Sequence, residues 1–259
     1  MTEASEAAMV AMRGAPMEVP LSPPNAARPP LEGESAAGFE LACLLTSPVY
    51  LGIGVPRGDG RGVLVLPGFM GNDEYLRPLR GWLQRIGYDA HASGIVFNVG
   101  TPSSLIAHVL RRAEFVAGNT GSRLTLIGHS LGGIFARAVA VMRPDLVSDV
   151  IALGSPLHGD PRAASHPLVA SLGNVLMTER IGMRANDALE AALLDVVLPD
   201  GVRICCFYSR GDAVVDWRSC IDGDPRTQSI EVHGTHCGLV WNREVYQKLA
   251  VLLASTPRG

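Results

Sequence analysis

The 259-residue sequence predicts an α/β fold, a mostly parallel central sheet flanked by helices. Short runs such as the wholly apolar Val63–Leu66 and the mostly apolar Leu124–Ile127 have the composition of strands buried on both faces. Between such runs lie stretches of ~10–15 residues with helical periodicity, the alternation that builds crossover units. With 47% hydrophobic and 18% charged residues, the chain can bury one substantial core.

Residues 1–35 are rich in Ala, Pro and Glu, and no aromatic residue precedes Phe39. The stretch reads as a disordered or extended tail, leaving residues 36–259 as the folded domain. Arg13 and Arg28 against Glu3, Glu6, Glu18, Glu32 and Glu34 put the whole formal charge of −3 here. The remainder is charge-balanced, which excludes the clustered cations that nucleic acid requires. The start, Met-Thr-Glu-Ala-Ser-Glu, lacks the basic and apolar regions of a secretory signal. No apolar run approaches the ~18–20 residues of a membrane span. A cytoplasmic protein without an integral membrane segment is expected; oligomeric state stays open.

Ala36–Leu45 is expected to be a short docking helix. Val63–Leu66 is the first strand, and Asn72–Ile86 a helix capped by Asn72 or Asp73, with Leu76, Leu79, Leu83 and Ile86 on one face. Gly87 ends it. Tyr88–Ala92, Leu124–Ile127, Val147–Leu153, Arg203–Tyr208 and Ser229–Val232 follow as strands. Ser103–Val116, Ser130–Met142 and Asn242–Ala254 are the intervening helices. Residues 158–200 are a long excursion between two strands, with helical patches at Leu168–Met177 and Ala188–Val197. This interval reads as a small cap insertion, with an ordinary crossover helix and a long loop as the alternative.

Gly128-His129-Ser130-Leu131-Gly132 matches G-x-S-x-G between an apolar strand and a helix, where a sharp turn lifts the serine above the sheet. A serine hydroxyl needs a base, and the base needs an orienting acid. His236, on the loop after the last strand, is the candidate base, because ligands bind beyond the carboxyl ends of parallel strands. His233 reads as a packed or solvated imidazole. A metal site of His233, His236 and Cys237 lacks a fourth ligand of suitable spacing, so no metal is expected. Asp212, four residues past strand Arg203–Tyr208, is the candidate acid, with Asp216 as its rival or as a cap. Backbone amides of Leu131 and Phe69, the latter in Pro67-Gly68-Phe69-Met70-Gly71, are candidate oxyanion donors. Met70, His129, Leu157 and Leu239 are taken as substrate-pocket residues. Cys220 and Cys237 flank this region, either as a disulfide or as two separate thiols.

The order Ser130, Asp212, His236 with this elbow and loop resembles the α/β-hydrolase superfamily and, within it, small bacterial lipase and esterase-like proteins. Tyr208–Cys220 and His236-Cys237-Gly238-Leu239 look like that group's acid and histidine blocks. Pro67-Gly68 stands where many relatives have His-Gly. The resemblance implies an α/β-hydrolase fold, a carboxylic ester or lipid-like substrate and no cofactor. An acyltransferase with the same triad and a non-catalytic binding protein are the alternative readings.

Overall fold

The computed structural model describes residues 28–158, 164–176, 199–221, 224 and 226–255. Six strands form one sheet: β1 (Gly62–Leu66), β2 (Asp89–Ala92), β3 (Leu124–His129), β4 (Val147–Leu153), β5 (Arg203–Tyr208) and β6 (Gln228–Glu231). Every pairing is parallel, in the order β2-β1-β3-β4-β5-β6. The helices are α1 (Ala37–Leu45), α2 (Arg77–Ile86), α3 (Pro102–Thr120), α4 (Leu131–Met142), α5 (Pro167–Leu176) and α6 (Arg243–Ala254).

Strand alternation sorts the core into two layers. Val63, Val65, Ile127, Ile151 and Phe207 face Trp82, Leu83, Tyr246 and Leu249 of α2 and α6. Leu64, Leu66, Leu126, Val150 and Ile204 face Val109, Val116, Phe135 and Val139 of α3 and α4. A fully buried Leu or Phe here contributes ~1.5–3 kcal/mol of hydrophobic stabilisation. The strand order reverses beside β1, so the loops after β1 and β3 open onto one crevice. Open parallel sheets bind ligands at such a switch point.

Several boundaries differ from expectation for local reasons. Helix α2 begins at Arg77, not Asn72. Asn72 Oδ1 instead accepts the Glu74 and Tyr75 amides at 2.9 and 3.3 Å, closing a turn. Asp73 is committed elsewhere, taking Ser93 N, Ser93 Oγ and Gly94 N at 3.0, 2.7 and 2.7 Å. Helix α3 runs four residues past Val116, to Thr120, where Gly121 at φ 64° stops it. Strand β6 lies one residue earlier than expected.

The boundary drawn at residue 35 is also displaced. A 3-10 helix at Leu31–Ala36 leads directly into α1, and its Glu34 accepts three backbone amides of the domain. The packing partner that orders this polar stretch is more than 170 residues away in sequence, where no local pattern shows it. In the interval 158–200, α5 covers one expected helical patch. Residues 164–166 are pinned to the β5–β6 connection: His166 N donates to Val214 O at 2.6 Å, and Asp216 N to Ala164 O at 2.9 Å. The patch Ala188–Val197 lies outside the described residues.

Candidate active site

The loop between β3 and α4 is the strained centre of the site. Ser130 has φ 52° and ψ −122°. Met70 has φ 58°, and these two are the non-glycine residues of positive φ among the described residues. Each such conformation costs on the order of 1–3 kcal/mol and persists only where packing dictates it. The flanking glycines explain how the turn closes. A Cβ on Gly128 would lie 2.3 Å from the Gly133 nitrogen, and one on Gly132 would lie 2.5 Å from the Leu66 oxygen. Ser130 N donates to Leu153 O at 2.9 Å, which fixes the elbow to the end of β4.

The β1 loop is held over the elbow by buried polar groups. Asn98 donates from Nδ2 to Pro67 O at 2.8 Å. Its carbonyl accepts Met70 N at 3.0 Å, and its own amide donates to Gly71 O at 2.7 Å. Gly68 N donates to the Tyr75 hydroxyl at 2.7 Å. The Phe69 and Leu131 amides have no acceptor among the described residues, and both residues are partly exposed.

His236 and Asp212 are both buried, and Nδ1 of the imidazole lies 2.7 Å from Oδ2 of the carboxylate. The other oxygen, Oδ1, accepts the Val214 and Val215 amides at 2.9 and 2.7 Å. A carboxylate so satisfied presents one oxygen to the imidazole in a fixed direction. Ser209 joins the two loops further: its hydroxyl donates to Gly234 O at 2.6 Å and accepts Gly211 N at 3.0 Å. Gly154, at φ 59°, packs beside the pair; a Cβ there would lie 2.8 Å from Leu239 Cδ1 and 3.2 Å from both Asp212 Oδ2 and His236 Nδ1. Burial alone pulls the His236 imidazole down, but the Asp212 carboxylate and the charge of Glu34 outweigh it, so the group is raised above its ordinary value.

The rival residues lie apart. Asp216 caps the 3-10 helix Trp217–Cys220, accepting Arg218 N at 3.1 Å. His233 is exposed and faces Glu244, its Nδ1 3.4 Å from Oε2, so it does not converge with His236 and Cys237. Cys220 is buried and Cys237 exposed, and both are free thiols.

Region 104–199 matches the family described as PGAP1-like alpha/beta domain. A triacylglycerol lipase of Burkholderia plantarii is 30% identical over 172 residues, which cover 58% of this chain and 46% of that lipase. A triacylglycerol lipase of Pseudarthrobacter phenanthrenivorans is 30% identical over 139 residues, 45% of this chain and 43% of its own length. The chain thus spans less than half the length of these curated relatives. The crystal structure of a Bacillus licheniformis lipase shares the fold, with a TM-score of 0.58 at 14% identity over 77% of this chain and 94% of that one. The chain has the fold of the α/β hydrolases.

Within this fold, the four expected pocket residues separate. Met70 is exposed on the β1 loop, near Val96 and Phe97, which are exposed too. Leu157 and Leu239 are instead packed in the two core layers; the loops that carry them turn their side chains inward. His129 is a correction of another kind. It is buried behind the elbow, with Nδ1 2.9 Å from the Tyr75 hydroxyl and Nε2 3.0 Å from the His236 carbonyl. Tyr75, Asn98, Glu34 and Glu40 have no local signal in the sequence, because they act across long separations. Gly154 lies in the Gly154–Gly159 loop, legible in the sequence as pocket wall, and the structure sets it against Asp212 and His236. No helix among the described residues is long and apolar enough to cross a membrane.

Proposed function

We propose that this α/β-hydrolase cleaves carboxylic esters with apolar acyl groups, through an acyl-enzyme on Ser130. The observation that carries the reading is the buried His236–Asp212 pair, 2.7 Å apart, beside the strained serine elbow. In the first half-reaction Ser130 Oγ attacks the ester carbonyl while His236 Nε2 takes its proton. Asp212 holds the tautomer that leaves Nε2 free and stabilises the imidazolium. The tetrahedral oxyanion lies against the Phe69 and Leu131 amides, which have no acceptor among the described residues. Collapse expels the alcohol, protonated by His236. Water then repeats the sequence on the acyl-serine, activated by the same imidazole. Exposed Met70, Val96 and Phe97 at the β1-loop side favour an apolar acyl chain, as do the lipase relatives.

A p-nitrophenyl ester series from acetate to palmitate, assayed on the protein and its Ser130→Ala variant, tests this. Turnover should fall by up to ~10⁶-fold in the variant. Undiminished turnover in Ser130→Ala would refute the nucleophile, and no turnover on any ester would refute ester hydrolysis.

A further inference from the structure

The segment preceding α1 reaches into the site from behind. Glu34 Oε1 accepts the Ala213 amide at 3.1 Å and the His236 amide at 3.0 Å, and Oε2 accepts the Cys237 amide at 2.9 Å. One carboxylate therefore joins the residue after Asp212 to His236 itself. Glu40, six residues further on, grips the same loop. Its Oε1 accepts Thr235 N and Thr235 Oγ1, both at 2.9 Å, and Oε2 accepts Asn242 Nδ2 at 3.0 Å. The glycines around His236 make room for this: a Cβ on Gly238 would fall within 2.3 Å of Glu40 Oε1, and one on Gly234 within 2.7 Å of Oε2. Carboxylates accepting several backbone N–H groups are strong, directional ties.

We propose that Glu34 is a positioning residue of the hydrolase site: it clamps the Asp212 and His236 loops together and presents a second negative charge to the imidazole. This rests on the assignment of His236 as base. The groups facing that imidazole are Asp212 through its hydrogen bond, Glu34 behind its backbone, and the neutral His129 ring, 4.8 Å away centroid to centroid. Glu40 acts one residue removed, through Thr235. Of these charges, Asp212 belongs to the triad, whereas Glu34 comes from the Ala/Pro/Glu-rich segment, so the site is complete only with that segment docked.

The test is the titration midpoint of His236, read by NMR from its imidazole signals in the full chain, in Glu34→Gln and in Glu32→Gln. Glu34→Gln removes the charge and keeps the shape; Glu32→Gln removes an equal charge from an exposed neighbour. The midpoint should move to lower pH in Glu34→Gln and stay in place in Glu32→Gln. The acid limb of kcat/KM should move with it, and kcat should fall by up to ~10²-fold, as expected when a catalytic group is displaced by about an ångström. An unmoved midpoint in Glu34→Gln, or an equal shift in Glu32→Gln, overturns the inference. Should Glu34→Gln not fold, Glu34→Asp draws the charge back by one methylene and should shift the midpoint the same way by less; no shift there overturns it equally. Because the NMR readout needs no substrate, a shifted midpoint without ester turnover would count against ester hydrolysis while leaving the clamp standing.

Discussion

His129 Nε2 lies 3.0 Å from the backbone carbonyl of His236, tying the residue before the candidate nucleophile to the candidate base. A carbonyl only accepts, so Nε2 carries the proton and Nδ1 is left as an acceptor. The Tyr75 hydroxyl must then donate to Nδ1 at 2.9 Å and accept from the Gly68 amide at 2.7 Å. One directed chain, Gly68 to Tyr75 to His129 to His236, thereby links the β1 loop, the elbow and the histidine loop. It requires a neutral His129, and burial, followed by the neighbouring His236, pushes that imidazole down to about 3.

Tyr75→Phe breaks this chain at its centre and leaves a buried amide and ring nitrogen without partners. Such groups cost about 1–3 kcal/mol each, so denaturant unfolding should show a loss of about 2–6 kcal/mol. A variant as stable as the parent would mean that the chain does not hold the loops.

The acid dependence of stability should carry the signature of His129. An unfolded histidine takes up a proton near pH ~6.5, whereas the folded one resists until about 3. Its contribution to stability is therefore whole above pH ~6.5 and shrinks as pH falls toward 3, by roughly 1.4 kcal/mol per pH unit. His236 has the opposite sign. Its raised folded value means its contribution is complete below the unfolded value and is lost as pH rises through the folded one. Below pH ~6.5, then, His129→Gln should flatten the stability profile relative to the parent; parallel profiles would contradict the assignment.

Asp212 and Asp216 should separate cleanly under substitution. Asp212→Asn presents an amide to His236 Nδ1 and favours the wrong tautomer, for which a kcat loss of ~10⁴ is the known scale. Asp216→Asn weakens a cap and its ion pair with Arg218 and should cost about 0.5–2 kcal/mol, with kcat near that of the parent. Steady-state kinetics of the two variants decide between them.

Gly154→Ala should be harmful although the glycine does no chemistry. Its φ of 59° is unfavourable for alanine, and the added methyl would press on Leu239, Asp212 and His236. A stability loss of about 1–3 kcal/mol together with reduced kcat is expected, measured by thermal unfolding and ester turnover. Unchanged kcat would show that the pair tolerates displacement.

Much of this protein is determined by residues near one another in sequence. The β3 run, Ser130 and the two close-packed glycines specify a strand, a strained turn and a helix within nine residues, because the constraint there is backbone sterics. The strands Val147–Leu153 and Arg203–Tyr208 are legible to the residue, since their apolar runs Val150–Leu153 and Ile204–Tyr208 mark segments buried on both faces. Asp212 could be ranked above Asp216 from its offset past β5, and His236 above His233 from its place beyond the last strand. What only the tertiary structure decided is everything that depends on partners far apart in the chain. Glu34 reads as one more acid in a polar tail until Ala213 and His236 amides close on it; Asp73 reads as a helix cap until Ser93 and Gly94 claim it. His129 changes from a pocket residue to a buried relay because Tyr75 and the His236 carbonyl occupy both its nitrogens. Hydrogen bonding is short-ranged and directional, so which of several equivalent polar side chains is used is set by where the fold brings its partner, and that is not written in the neighbouring residues.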